Sequence, residues 1–191
     1  MNTTQIKRKF AAGAFLALLA LAGTSPVALA EERQCSGSLG AVTVDNLRVP
    51  ANATCTLTGT QIKGTLKVET GATLNASGIN VVGNIQAEGA RSVNVSASSR
   101  VGGSIQVKQG GGASIRNVQV NGDIQFDANR SALVASSNRV GGSIQVMQNR
   151  GGASISNNSV NGNLQCKENA PAPTGGGNRV QGSKEDQCAR L

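Results

Sequence analysis

A repeat of 19 or 20 residues restricts this chain more than any other feature. The copies are Ile62-Lys-Gly-Thr-Leu-Lys-Val68, Val81-Val-Gly-Asn-Ile-Gln-Ala87, Val101-Gly-Gly-Ser-Ile-Gln-Val107, Val120-Asn-Gly-Asp-Ile-Gln-Phe126, Val140-Gly-Gly-Ser-Ile-Gln-Val146 and Val160-Asn-Gly-Asn-Leu-Gln-Cys166. A weaker copy follows at Val180-Gln-Gly-Ser-Lys-Glu-Asp186. Their central glycines are Gly64, Gly83, Gly103, Gly122, Gly142, Gly162 and Gly182. A longer duplication lies over this one: Ser92 to Val107 matches Ser131 to Val146, and Gly111 to Gln125 resembles Gly151 to Gln165. A fixed period of this length means that copies stack, because no single copy can bury its own apolar face.

Apolar residues fall at every second position within each copy, which is the period of a strand and not of a helix. Val, Ile and Leu favour strands, and the Gly, Ser and Asn between them favour bends. A propeller blade needs about 40 residues, and a meander would reverse the direction of alternate copies. Stacking in parallel register buries the apolar positions most simply, one coil over the next. The fold expected is therefore all-β: a single-stranded, right-handed parallel β-helix, or solenoid, of about eight coils and roughly 35–40 Å in length. Right-handedness follows from loops that vary in length, since the left-handed type keeps a stricter six-residue period.

Stacking turns sequence columns into physical ones. Leu66, Ile85, Ile105, Ile124, Ile144 and Leu164 form one inward column, and Val68, Ala87, Val107, Phe126, Val146 and Cys166 a second. Gln86, Gln106, Gln125, Gln145 and Gln165 lie between them and face out, as a binding surface or as a stabilising amide ladder of the cross-β kind. Asn138, Asn158 and Asn178 make a further column at a bend. Thr73-Leu74, Val93-Asn-Val95, Ala113-Ser-Ile115, Leu133-Val134 and Ala153-Ser-Ile155 supply a second strand to each coil.

The four cysteines fit this geometry. Cys35 and Cys55 are 20 apart, and Cys166 and Cys188 are 22 apart. Cα atoms on neighbouring coils lie about 4.8 Å apart, within disulfide range, so the rod selects Cys35–Cys55 and Cys166–Cys188, one bridge at each end. The prolines of Cys166-Lys-Glu-Asn-Ala-Pro-Ala-Pro-Thr suit a terminal coil, since proline cannot donate to a ladder. These features read as caps, and caps oppose end-to-end assembly.

The repeat resembles those of right-handed parallel β-helix proteins, over about residues 40–187. The tail from Leu164-Gln-Cys166 to Lys184-Glu-Asp-Gln-Cys188 is similar to a cap in small uncharacterised secreted bacterial β-helix proteins; that resemblance implies no activity. Bactofilins also carry G-x-I repeats but are cytosolic, and the leader and cysteines here depart from their pattern.

Lys7, Arg8 and Lys9 precede an apolar run, Phe10 to Ala22, and Ala28-Leu-Ala30 ends it. This is the layout of a signal peptide cleaved before Glu31, and the run of roughly 13 residues is short for a bilayer span of about 20. The expected organisation is a signal peptide at 1–30 and a β-helix domain with both caps at 31–191, secreted or periplasmic. Without the leader the chain holds 15 basic and 10 acidic residues, a net charge of +5.

The chain has no His, Tyr or Trp, which removes the commonest general base, the commonest metal ligand and any row of stacking rings. Glu69 and Glu88 share a column that Lys108 interrupts before Asp127, so no carboxylate pair suited to acid–base or metal work emerges. No enzyme, cofactor or metal site is expected. Arg100, Arg139 and Arg179 each precede a repeated Val, on alternate coils, and Arg91 and Arg130 recur at the same long period. These arginines are either duplicated surface charge or columns that grip a linear polyanion. The function expected is an exported, non-enzymatic structural or surface-associated protein, with a binding module for an anionic polysaccharide or envelope polymer as the alternative.

Overall fold

The structure, a computed structural model, describes residues 1–2 and 31–191. The expected signal peptide falls almost wholly outside the described residues. From Glu32 onward the chain winds as a parallel β-solenoid of about eight turns, with no helix among the described residues. The all-parallel winding is consistent with a right-handed parallel β-helix. Each turn has three sides. The central turn illustrates them: Ile105–Lys108 lies in sheet A, Gly112–Arg116 in sheet B and Gln119–Val120 in sheet C. Sheet A has nine strands and sheets B and C eight each, every strand pairing in parallel with its equivalent one turn away.

Three sides, where the alternation suggested two strands, is the main difference from the sequence reading. Val101, Gly103 and Ile105 keep strand alternation, yet Val101 ends a strand of sheet C and Ile105 begins one of sheet A. The chain bends at Gly102-Gly103-Ser104 without changing which parity points inward. The glycine at this corner is a close-approach residue. A Cβ on Gly64 would overlap Asn46 Oδ1, one on Gly103 Asn84 Oδ1, and one on Gly142 Asp123 Oδ1. Those oxygens, and the hydroxyls on intervening turns, accept the N–H of the corner above, as in Ser104 N–H to Asn84 Oδ1 at 2.8 Å, Asp123 N–H to Ser104 Oγ at 3.0 Å and Ser143 N–H to Asp123 Oδ1 at 2.7 Å.

The inward columns stack as expected. Ile85, Ile105, Ile124, Ile144 and Leu164 pair in direct succession and have no exposed surface. Phe126 is the largest side chain in the core. The turn that holds it places Ala135 inward on sheet B, where the turns on either side place Ile115 and Ile155. This exchange of large for small keeps the interior filled.

Both bridges form, with Cα–Cα distances of 5.6 Å for Cys35–Cys55 and 5.2 Å for Cys166–Cys188. Neither joins register partners. Gly37 lies opposite Cys55 and Asp186 opposite Cys166, so Cys35 and Cys188 each sit two residues beyond the matching position. Each terminal cysteine is buried between exposed neighbours. The bridges thus draw the two ends of the rod inward over a core that no further turn covers among the described residues.

Candidate anion-binding surface

The corners decide which side chains the surface can present. At the corner between sheets B and C, Asn138, Asn158 and Asn178 are buried and clasp three turns together. Asn138 Nδ2 donates to Asn158 Oδ1 at 3.0 Å and to the Ile115 carbonyl at 2.9 Å. Asn158 Nδ2 donates to Asn178 Oδ1 at 2.9 Å and to the Ala135 carbonyl at 2.8 Å. A second ladder, not anticipated from the sequence, fills the corner between sheets A and B. Asn129 donates to Asn149 Oδ1, Asn149 to Asn169 Oδ1 and Asn169 to Gln187 Oε1. Its signal was the 20-residue spacing of the three asparagines. The fully satisfied buried amides fix the corners, and the residues just beyond them are held at set heights along the rod.

On sheet C, Arg100, Gln119, Arg139, Ser159 and Arg179 pair in succession. All five point outward and are exposed. Arginine therefore occupies alternate rungs, about 10 Å apart at two strand spacings. A groove of about 380 Å³ follows this column: Arg100, Gln119, Arg139 and Ser159 form one wall, and the corner residues Asn117 and Ser137 help form the other.

Arg91 and Arg130 do share a column, at the corner that enters sheet B. Arg91 aligns with Gly111, then Arg130, then Arg150, because Gly111 N–H donates to the Ala90 carbonyl, Arg130 N–H to Gly110 and Arg150 N–H to Asn129. Arg150, directly over Arg130, is not marked by the duplication, because it falls between the duplicated segments Ser131 to Val146 and Gly151 to Gln165. The structure does not bring the two arginine columns together. They run along opposite edges of sheet B.

The three sides also separate the charges. All ten acidic residues lie on sheet A, on the corner leading into it, or on the residue just leaving it, as Glu69 and Glu168 do. From that point round sheets B and C, no turn carries a carboxylate. That side holds seven arginines, namely Arg91, Arg100, Arg116, Arg130, Arg139, Arg150 and Arg179, and no lysine. The ion pairs among the described residues engage only Arg48 and Lys63, so these seven have no carboxylate in ion-pair range.

Sheet A behaves differently. Its outward glutamines stack, but of the neighbouring amides only Gln145 Nε2 reaches Gln165 Oε1, at 3.4 Å, and Gln165 then donates to Glu185 Oε2 at 2.7 Å. The Glu88, Lys108 and Asp127 positions alternate in sign along one column. A shallow groove of about 650 Å³ runs beside them, lined in part by Lys67, Gln86, Glu88 and Lys108. Near the N-terminal end Arg48 Nη1 donates to Glu69 Oε1 at 3.1 Å, and that bond, with a second from the Ala51 N–H, holds the Glu69 carboxyl below the usual carboxylate range against partial desolvation. Arg48 Nε lies 2.9 Å from Glu32 Oε2, but its N–H does not point at that oxygen and makes no hydrogen bond. Among the described residues no three His, Cys, Asp or Glu converge as metal ligands.

No family model matches the chain, and no curated protein or solved structure matches it either.

Proposed function

We propose that the protein is exported and serves as a non-enzymatic, surface-associated structural rod. The observation that carries this reading is the pair of buried disulfides closing both ends of one continuous apolar core. Disulfides form and persist in oxidising compartments, so the bridges point to an extracytoplasmic setting, secreted or periplasmic. The charged leader and the Ala28-Leu-Ala30 site support the same route. Expression of the full chain in a secreting bacterial host, followed by fractionation and intact-mass measurement, tests it. The expected product starts at Glu31, lies outside the cytoplasm, and is lighter than its sequence mass by the four hydrogens of two bridges. Cytoplasmic retention, or free thiols on exported material, overturns the reading.

A second reading is favoured by the carboxylate-free arginine side: a binding module for an anionic polysaccharide or envelope polymer. Guanidinium groups bind carboxylate and phosphate bidentately, and a one-sign surface draws a polyanion along the rod. No small-molecule cofactor enters this reading. Retention on a heparin column beyond that of a protein of equal net charge, lost in the Arg100→Ala, Arg139→Ala, Arg179→Ala variant, is the expected result. Retention unchanged in the triple variant removes the reading.

A further inference from the structure

Resting on the arginine reading above, we propose that the groove beside sheet C is a register-specific site for a linear polysaccharide that carries one carboxylate on every second sugar. The first reason is spacing. Arg100, Arg139 and Arg179 occupy every second rung, and the intervening rungs hold neutral Gln119 and Ser159. Two rungs span about 10 Å, close to the length of two extended linked hexoses. A uronate on alternate sugars meets a guanidinium each time, and the neutral sugar between meets an amide or a hydroxyl.

The second reason is rigidity. The rung residues from Arg100 to Ser159 belong to strands paired on both sides, Arg179 to the last strand of sheet C, and the corner beneath them is pinned by the buried Asn138, Asn158 and Asn178 ladder. The Cα heights of the arginines are therefore set by the backbone before any ligand arrives, which leaves only their side chains to be ordered on binding. The third reason is what surrounds the column. The groove is lined mostly by polar residues, Val118 excepted, and no carboxylate lies on sheet B or sheet C to compete for the arginines.

Nucleic acid fits less well. Along a duplex each strand carries a phosphate about every 3.4 Å of axis, so arginines on alternate rungs meet only a fraction of them. The chain from residue 31 onward has one aromatic ring, Phe126, and it is fully buried, which leaves no platform for stacking bases. A dense polyanion with a charge on every sugar places half its charges against Gln119 and Ser159.

Calorimetric titration of the mature, disulfide-intact protein tests the register. The probes are hyaluronan oligosaccharides, in which uronate alternates with a neutral sugar, oligogalacturonate with a carboxylate on every sugar, neutral chitin oligosaccharides, single-stranded DNA, and heparin. Hyaluronan is expected to bind and the neutral oligosaccharide not. Arg139→Gln weakens hyaluronan binding about tenfold, the loss of one charge-assisted contact, while Lys108→Gln on sheet A binds as the parent does. Filling the empty rungs with Gln119→Arg and Ser159→Arg turns the preference toward oligogalacturonate. Far-UV circular dichroism identical to the parent shows that each variant folds. Parental preference for oligogalacturonate or DNA, or hyaluronan binding indifferent to Arg139→Gln, overturns the proposal. Heparin binding without hyaluronan binding overturns it while sparing the broader polyanion reading, and absence of binding to every polyanion overturns both.

Discussion

The two halves of the rod turn their corners by different means. In the N-terminal half glycine holds most of the left-handed corner positions, at Gly59, Gly71, Gly78 and Gly89, with Asn52, Ala97 and Ser98 at the others, and the buried corner column beside the glycines is small or apolar, as at Ala72, Ala90 and Ile79. In the C-terminal half the same positions are held, until Gly177 on the last turn, by residues with a Cβ: Gln109, Asn117, Ala128, Ser137, Gln148, Asn157 and Glu168, with φ between 53° and 57°. There the residue that follows is, from Ala128 onward, a buried asparagine. Glycine adopts this conformation at no steric cost, whereas other residues are strained in it. The difference teaches that a side-chain ladder can hold a backbone bend that the local sequence does not favour.

The largest expected effect comes from breaking a ladder at its middle. Asn149→Leu removes the acceptor for the Asn129 N–H and Nδ2 and the donors to Asn169 Oδ1 and the Phe126 carbonyl. Several buried polar groups lose partners at once, so a loss of roughly 3–5 kcal/mol is expected in urea unfolding. Ala90→Ser, at a corner of the N-terminal half without such a ladder, should cost far less. A loss at Ala90 equal to that at Asn149 would erase the contrast.

Removing one bridge comes next. A disulfide closing a loop of about 20 residues contributes roughly 3 kcal/mol. The C-terminal ladder ends on Gln187, next to Cys188, so Cys166→Ala, Cys188→Ala should release amide protection along Asn149 and Asn169. Cys35→Ala, Cys55→Ala should leave protection changed only near the first two turns. Hydrogen exchange resolved by residue reads both.

A smaller effect separates the two kinds of corner directly. Ala128→Gly relieves a left-handed alanine and should stabilise by about 0.5–1 kcal/mol, while Gly78→Ala should destabilise by about 1 kcal/mol. A Cβ at Gly78 meets no atom closer than 3.8 Å, so strain and not crowding sets its cost. Opposite signs in paired thermal melts are the expected outcome.

The smallest effect is the pH response of the N-terminal end. The folded-state pKa of Glu69 is depressed by Arg48, so its contribution is complete above the ordinary carboxylate pKa and is lost as pH falls through the lower folded value. The Arg48 ion pair is partly exposed, and its weight is small. The difference in melting temperature between the parent and Glu69→Gln should shrink as pH falls through the carboxylate range.

Much of this architecture is legible in the sequence. The columns of Ile105 and Phe126, the coil count and the cysteine partners follow from a period that is nearly constant. The third side was hidden because Val101-Gly-Gly-Ser-Ile105 bends without breaking alternation. The Asn129, Asn149 and Asn169 ladder was hidden because a search for core positions follows apolar residues, and this column begins as Ala72 and Ala90. The arginine columns were visible as spacing, but the separation of charge was not: it appears only when each turn is divided among three faces.

The corner relay that passes from Asn84 through Ser104, Asp123, Ser143 and Asn163 to Ser183 alternates amide or carboxylate with hydroxyl. Such a succession can grow or shrink by pairs of turns without disturbing its order, whereas a single added turn would set like upon like. Lengthening by such pairs would step by about 10 Å and preserve the pitch of whatever the outer rungs grasp.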